Sequence, residues 1–294
     1  MKPAPFDYYD PRTLEEVLSL LRLHGHDARI LAGGQSLVPR LNLRITTPAV
    51  LVDLNRIPDL AYVERTNGLV RFGAMTRQRQ IQFSDLVSTT LPLLGEAIRL
   101  IGHLPTRTRG TMGGSLAFAD PAAELPAVVT ALDGDLVVRG PSGDRMLKPA
   151  EFFVEPFVTA LAPEELLVEI RLPAAPRGSG AAFEEISLRE NHFALVGVAA
   201  QVTVDPDGRC TMARLGVSGC PTPMRLRPVE EILERDGVGQ TVLGAAADLA
   251  AELVDPIDTV HASSAYRRRL TRVLVARALA RAAATALGVE QGRG

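Results

Sequence analysis

The sequence predicts an α+β protein in two parts. In the first part, helical and strand-like runs are interspersed with a hairpin signal and two glycine-rich segments. In the second, strand-like runs precede helical ones. Between them, Pro173 to Gly180 (Pro-Ala-Ala-Pro-Arg-Gly-Ser-Gly) has linker composition, which places a boundary there.

Thr13 to His24 carries apolar residues at Leu14, Val17, Leu18, Leu20 and Leu21. Thr13 suits the cap, Glu15 and Glu16 suit the first turn, and Gly25 ends the helix. A short strand at Arg29 to Ala32 runs into Gly33-Gly34-Gln35-Ser36. A Leu/Val/Pro stretch and a strand at Val50 to Asp53 follow. Leu60 to Ala74 alternates around Asn67-Gly68, a hairpin signal. Thr76 is expected to cap a helix running through Phe83, and Pro92 to Ile101 forms another. Ala122 to Leu132 is helical, with Pro121 in its first turn. Asp135 to Arg139 and Leu166 to Arg171 read as strands. Beyond the linker, Phe183 to Leu188, Val196 to Val204 and Arg214 to Ser218 form a meander, with a turn at Asp205 to Gly208. Val229 to Arg235, Thr241 to Leu253 and Ala265 to Leu287 are helical.

The bulk numbers bound the function. The chain has 294 residues, 46% hydrophobic and 22% charged, enough for two domains with a sizeable core. A net charge of -2 gives no global pull toward nucleic acid or an anionic membrane. Aromatics at 4%, with no Trp, disfavour a single-strand binder built on stacking. Two cysteines, Cys210 and Cys220, are too few for a disulfide framework or a four-thiolate cluster. They read as ordinary thiols, with a disulfide between them as the alternative. Met1 to Pro11 shows no signal-peptide pattern, and no apolar run is long enough to span a bilayer. A soluble, cytoplasmic protein is expected.

The chemistry concentrates in the two glycine segments, Ala32-Gly33-Gly34-Gln35-Ser36-Leu37 and Gly110-Thr111-Met112-Gly113-Gly114-Ser115-Leu116-Ala117. Adjacent glycines let successive backbone N–H groups converge on an anion without side-chain bulk. Ser36, Thr111 and Ser115 each add a hydroxyl. A pyrophosphate needs such a set of donors; the bland alternative is two tight turns. Neither segment is a Rossmann fingerprint or a P-loop.

With these residues the chain resembles the FAD-binding medium subunit of aerobic carbon monoxide dehydrogenase and the FAD domain of xanthine dehydrogenase relatives. The resemblance runs through the first glycine segment with Val38-Pro39, Val52-Asp53-Leu54-Asn55 and Phe72-Gly73-Ala74-Met75-Thr76. It continues through Arg109 to Ala117, Ala119-Asp120-Pro121-Ala122, Glu165 to Ile170 and Arg189 to Ala200, covering most of the chain. It implies a vanillyl-alcohol-oxidase-like (PCMH-type) FAD-binding domain over 1–175, with subdomains of about 1–55 and 56–175. A C-terminal α+β domain of the medium-subunit type, over 181–290, would follow. Implied FAD contacts are Arg29, Ala32, Gly33, Gly34, Gln35, Ser36 and Leu37, then Thr111, Gly113, Gly114, Ser115, Ala117, Asp120 and Leu161. Implied partners are a small subunit with [2Fe–2S] clusters and a large molybdopterin subunit, in a dimer of heterotrimers. Electrons would pass from the clusters through FAD to an external acceptor.

Departures from the family pattern stand at Pro105-Thr106-Arg107-Thr108, where Gln-Val-Arg-Asn is common, and at Phe193, where some members place a Tyr beside the flavin. A Phe shields a ring but donates no hydrogen bond. With two cysteines, the variant carrying an extra iron–sulfur cluster is excluded.

Other polar residues read more plainly. Asp120 suits a helix N-cap or an FAD contact, and Asp53 a turn. Of the histidines, only His103 and His192 lie near segments able to approach a flavin, and none has metal-ligand spacing. Ser36 and Ser115 lack the setting of a nucleophile. Arg267-Arg268-Arg269 reads as a solvated face, or alternatively as a docking surface. Two further hypotheses stay open: a self-sufficient flavin oxidoreductase, and a scaffold that has lost FAD.

Overall fold

The computed structural model describes residues 2–189 and 192–289. Met1, Glu190 and Asn191 (inside the Arg189 to Ala200 segment) and Glu290, the end of the second implied domain, lie outside the described residues.

The chain opens with β1 (Asp7–Tyr9), α1 (Leu14–His24), β2 (Ala28–Leu31), α2 (Leu37–Asn42) and β3 (Val50–Asp53). β1 and β2 both pair parallel with β3, giving a three-stranded sheet of order β1-β3-β2. Thr13 caps α1 in a reciprocal capping box with Glu16. Val17 and Leu21 of α1 bury against Val50, Val52 and Leu54, each contributing about 1.5–3 kcal/mol. The Leu/Val/Pro stretch, unassigned from sequence, is a helix; Pro39 stands early enough in α2 for its missing N–H to be harmless.

Next come β4 (Val63–Thr66), β5 (Leu69–Gly73), α3 (Gln78–Gln82), α4 (Asp85–Thr90), α5 (Pro92–Ala97), α6 (Leu104–Arg109), α7 (Met112–Phe118) and α8 (Glu124–Ala131). The run ends with β6 (Asp135–Gly140), β7 (Gly143–Leu147), α9 (Pro149–Phe152), β8 (Phe153–Glu155), β9 (Val158–Thr159) and β10 (Leu166–Pro173). The Asn67-Gly68 hairpin forms as expected, both residues having positive φ (51° and 78°), the requirement of a tight turn matched to strand twist. The five-stranded sheet has order β4-β5-β10-β6-β7. Leu93, Leu94, Leu116, Leu125 and Phe72 are sealed beneath it.

Several local expectations are corrected. Thr76 does not cap α3; its hydroxyl donates to the Tyr62 carbonyl oxygen at 2.6 Å, and Arg77 holds the cap position. The Pro92 helix stops at Ala97. The helix after Asp120 begins at Glu124, so Pro121 lies outside it.

The last part holds β11 (Ser179–Ser187), β12 (Ala194–Val204), β13 (Cys210–Ser218), β14 (Met224–Arg225), α10 (Arg227–Asp236), α11 (Gln240–Leu253) and α12 (Ser264–Ala286). The strands form an antiparallel meander, β11-β12-β13-β14. The helices pack on one face, burying Val198, Val202, Leu215, Leu274, Val275 and Leu279. Ala181, Phe183 and Ala199 on the other face join the core beneath α5 and α8. Arg281 on α12 reaches Glu96 of α5 at 3.1 Å and also bonds Glu184, tying the two parts together. Arg267 is neither solvated nor a docking residue. It is buried, donating to the Leu195 carbonyl oxygen and to Thr259 at 2.9 Å, while Arg268 pairs with Asp255. Both cysteines are free and buried. Among the described residues, no helix is long and apolar enough to cross a membrane.

Candidate cofactor-binding site

A cavity of about 840 Å³ lies between the three-stranded sheet, α7 and the start of β10. That is within the usual range for ligand and cofactor pockets, roughly 300–1,000 Å³. Every residue implied as an FAD contact lines it: Arg29, Ala32, Gly33, Gly34, Gln35, Ser36 and Leu37 from the first segment; Thr111, Gly113, Gly114, Ser115 and Ala117 from the second; and Asp120 and Leu161. Gly33 and Gly113 are far apart in the chain and share this cavity only because α7 docks beside the β2 end.

The first segment supplies unused donors. Gly34 takes a φ of +74°, which a residue with a Cβ adopts only with strain. Around it, the N–H groups of Gly33, Gly34, Gln35 and Ser36 donate to no backbone acceptor among the described residues. Gln35 Nε2 reaches back to the Gly33 carbonyl oxygen at 3.3 Å, and Ser36 begins α2 without using its hydroxyl as a cap. A run of free amides in a concave loop is an anion cradle.

The second segment works differently, and its reading as an amide nest is corrected. It is helical. Met112 and Gly113 donate to the carbonyl oxygens of Thr76 and Ala74, at 2.9 and 2.8 Å. Gly114 donates to Thr111 Oγ1 at 3.1 Å, and Ser115 to the Thr111 carbonyl oxygen at 3.2 Å. With those amides occupied, the glycines serve close packing. A Cβ at Gly113 would stand 2.6 Å from Ala74 Cβ, and one at Gly114 would stand 2.6 Å from Thr111 Oγ1.

A strut that the sequence did not reveal holds the two segments together. Arg77 donates to the Arg109 carbonyl oxygen and to Asn55 Oδ1. Asn55 Nδ2 donates to the Ala32 carbonyl oxygen at 3.1 Å. Asp53 serves its turn, accepting from Asn55 N at 2.8 Å. Gly33 completes the closure by lying directly against the Arg109 carbonyl. A half-buried arginine between two glycine segments carries no local sequence signal, because its partners are far along the chain.

Further side chains in and around the cavity bear on a ligand. Gln78, 4% exposed, lines the cavity, and its Oε1 is sealed from solvent without a hydrogen-bond partner. A buried acceptor left so is costly unless a ligand supplies a donor. Asp120 is no helix cap: its Oδ1 accepts from Ala122 N at 2.9 Å in a local turn, and burial raises its pKa. Glu124 also lines the cavity, and burial, with Glu185 nearby, pushes its carboxyl up to about 8. Of the histidines, His103 and His192 line the cavity, and so does His26, which nothing in its sequence neighbourhood singled out. Phe193, 68% exposed, stands at the rim with His192 edge-on at 5.7 Å. Arg107, in the stretch that departs from the family pattern, turns inward to Gln82 and to the carbonyl oxygens of Ile101 and Gly102.

Free amides on a glycine loop, close-packed glycines in the second segment, a buried unpartnered side-chain oxygen and a cavity of this volume together fit a dinucleotide such as FAD. Comparison with known proteins points the same way. Residues 4–175 match the family model of the FAD binding domain in molybdopterin dehydrogenase, and 181–282 that of the CO dehydrogenase flavoprotein C-terminal domain. The chain is 44% identical to the 6-hydroxypseudooxynicotine dehydrogenase complex subunit alpha of Paenarthrobacter nicotinovorans, over 96% of each chain. A chain of carbon monoxide dehydrogenase from Hydrogenophaga pseudoflava superposes with a TM-score of 0.93 at 34% identity, covering 96% of this chain and 98% of that one. One of quinoline 2-oxidoreductase from Pseudomonas putida 86 gives 0.92 at 30% identity, covering 98% and 100%. The chain therefore belongs to the FAD-binding medium subunits of the molybdenum hydroxylase family: it binds FAD and is an oxidoreductase subunit of the molybdopterin-dependent dehydrogenases.

Proposed function

We propose that this chain carries electrons, in the cytoplasm, from [2Fe–2S] clusters of a small partner subunit through FAD to an external acceptor. A large molybdopterin subunit oxidises the substrate, and the assembly is a dimer of heterotrimers. In this reading 1–175 hold the cofactor and 181–290 cover it. The observation that carries the proposal is the cavity itself, a space sized for a cofactor whose lining includes the free amides of the first glycine segment and Gln78 with its buried unpartnered oxygen.

The chain's own residues bind and orient. The amides of Gly33 to Ser36, with the Ser36 and Ser115 hydroxyls, hold the pyrophosphate. Gly113 and Gly114 keep that wall free of side chains, and Thr111 fixes the turn that presents them. Ala117, Asp120 and Leu161 line the ribitol and ring portions, and Arg29 adds positive charge at the edge. Bound FAD supplies the redox chemistry, which the protein positions and tunes. Two cysteines cannot build an iron–sulfur cluster in this chain, so clusters belong to another subunit. The relatives' names differ in substrate (6-hydroxypseudooxynicotine, carbon monoxide, quinoline) while the matching chains align with this one over nearly their whole length, which supports placing substrate choice elsewhere in the complex.

The test is native purification with a visible spectrum, flavin quantitation and identification of co-purifying chains. Stoichiometric FAD with an iron–sulfur chain and a molybdopterin chain is the expected result. A solitary chain that oxidises a small substrate by itself would refute the electron-transfer role.

A further inference from the structure

Arg40 has no assigned task. It lies on α2, directly after the first glycine segment, and lines the cavity. Its guanidinium carbon stands 5.7 Å from the centre of the Phe118 ring and 5.9 Å from that of Phe157. The two rings meet edge-on, centroids 5.2 Å apart, and both line the same cavity.

The aromatic seat is braced. Phe157 has a φ of +63°, a conformation that a bulky residue keeps only when its surroundings enforce it. Its N–H donates to the Ala119 carbonyl oxygen at 2.9 Å, and Ala119 is itself left-handed at the end of α7. The tip of the β8–β9 hairpin is thereby fastened to α7, and Arg40 rests across both.

The other charges nearby are occupied. Arg29 donates to the carbonyl oxygens of His26 and Ala28, and Glu165 is bound by Arg145. Asp120 accepts from Ala122 N and feels Arg40 only through space. Among the described residues the Arg40 guanidinium has neither salt bridge nor hydrogen bond, only the two π faces. Such faces orient a cation and leave its N–H donors available. A half-buried guanidinium facing a ligand cavity calls for an anion on the ligand.

We propose that Arg40 is the counter-cation of the bound cofactor, held by Phe118 and Phe157 to pair with negative charge on FAD. This rests on the FAD reading of the cavity. FAD offers two sources of that charge: the pyrophosphate at all times, and the ring after it has taken up two electrons and one proton.

The test uses the full chain stripped of flavin, with FAD and riboflavin as probes, binding followed by flavin fluorescence, and the midpoint potential found by dithionite titration against a reference dye. Arg40→Met keeps the stem over the rings and removes the charge. With the pyrophosphate as partner, FAD binding weakens about tenfold or more while riboflavin binding holds, and added salt narrows the gap. With the reduced ring as partner, FAD affinity holds and the potential falls by about 30 mV for each tenfold loss of the reduced form's stabilisation. Arg40→Lys recovers part of either effect, and Phe118→Leu shows a smaller change in the same direction. Unchanged FAD affinity together with an unchanged potential in Arg40→Met overturns the proposal. A wild-type chain that takes up no FAD overturns the cofactor reading itself, and that is seen before any variant is compared.

Discussion

Gly33 stands where the two glycine segments touch, so replacing it with alanine tests the closure of the site. A Cβ there would lie 2.3 Å from the Arg109 carbonyl oxygen, 2.8 Å from Gly110 Cα and 2.9 Å from the Arg109 carbonyl carbon. All three are backbone atoms, so no flexible side chain can swing away. The Arg109 oxygen is also gripped by Arg77. To restore an ordinary contact the segments must part by roughly 1 Å. Overpacking of this kind costs about 1–3 kcal/mol, or about 5- to 150-fold in an equilibrium constant. Without ligand, the segments can relax apart and part of the cost appears as lower stability. With FAD bound, the donors of Gly33 to Ser36 must return to their spacing and the remainder appears as weaker affinity. The assay is a pair of measurements on Gly33→Ala: the FAD dissociation constant from fluorescence quenching, and the melting temperature of the flavin-free chain. The two losses together should amount to about 1–3 kcal/mol. Gly33→Asp adds repulsion of the pyrophosphate and should abolish binding. If Gly33→Ala binds FAD and melts as the wild type does, the two segments do not meet as described and the pyrophosphate placement is wrong.

Other outcomes follow from the same geometry. Arg77→Met removes the strut from Arg109 to Asn55; FAD affinity should drop about tenfold, with a lower melting temperature, by loss of charge-assisted bonds worth about 1.5–3 kcal/mol each. Gln78→Leu should separate ligand from fold. It removes a buried unpartnered acceptor, so the flavin-free chain should melt at the same temperature or higher while FAD binding weakens, and weakening of both would assign Gln78 a structural role. Burial raises Glu124 from the ordinary 4.5 to about 8, so the folded state holds a proton that the unfolded chain releases. Its contribution to stability is present below pH 4.5, is lost as pH rises toward 8 and stays lost above that. Melting curves across that range should slope downward in the wild type and less so in Glu124→Gln; equal slopes would remove Glu124 as the cause.

The sequence by itself determined what neighbours in the chain can settle. Thr13 and Glu16 cap one another within a single turn, Asn67-Gly68 forces its hairpin, and the valine-rich run from Val196 to Val204 reads as a strand, so those elements were legible before any fold was known. The two glycine segments also stood out, because adjacent glycines with hydroxyl neighbours, occurring twice, suit backbone donors that converge on an anion. Their motifs carried the family resemblance as well. The tertiary structure alone decided how each segment acts. Met112 and Gly113 look like free donors until Thr76 and Ala74 are brought beside them, which leaves the first segment as the anion cradle. β1 has no partner until β3 arrives beside it in parallel, and Arg267 looks solvated until Leu195 and Thr259 close over it. Arg77, Gln78 and Arg40 gained their places in the same way. Their partners, or in the case of Gln78 the lack of one, follow from chain segments that meet only on folding, and such pairings leave no mark in the residues on either side.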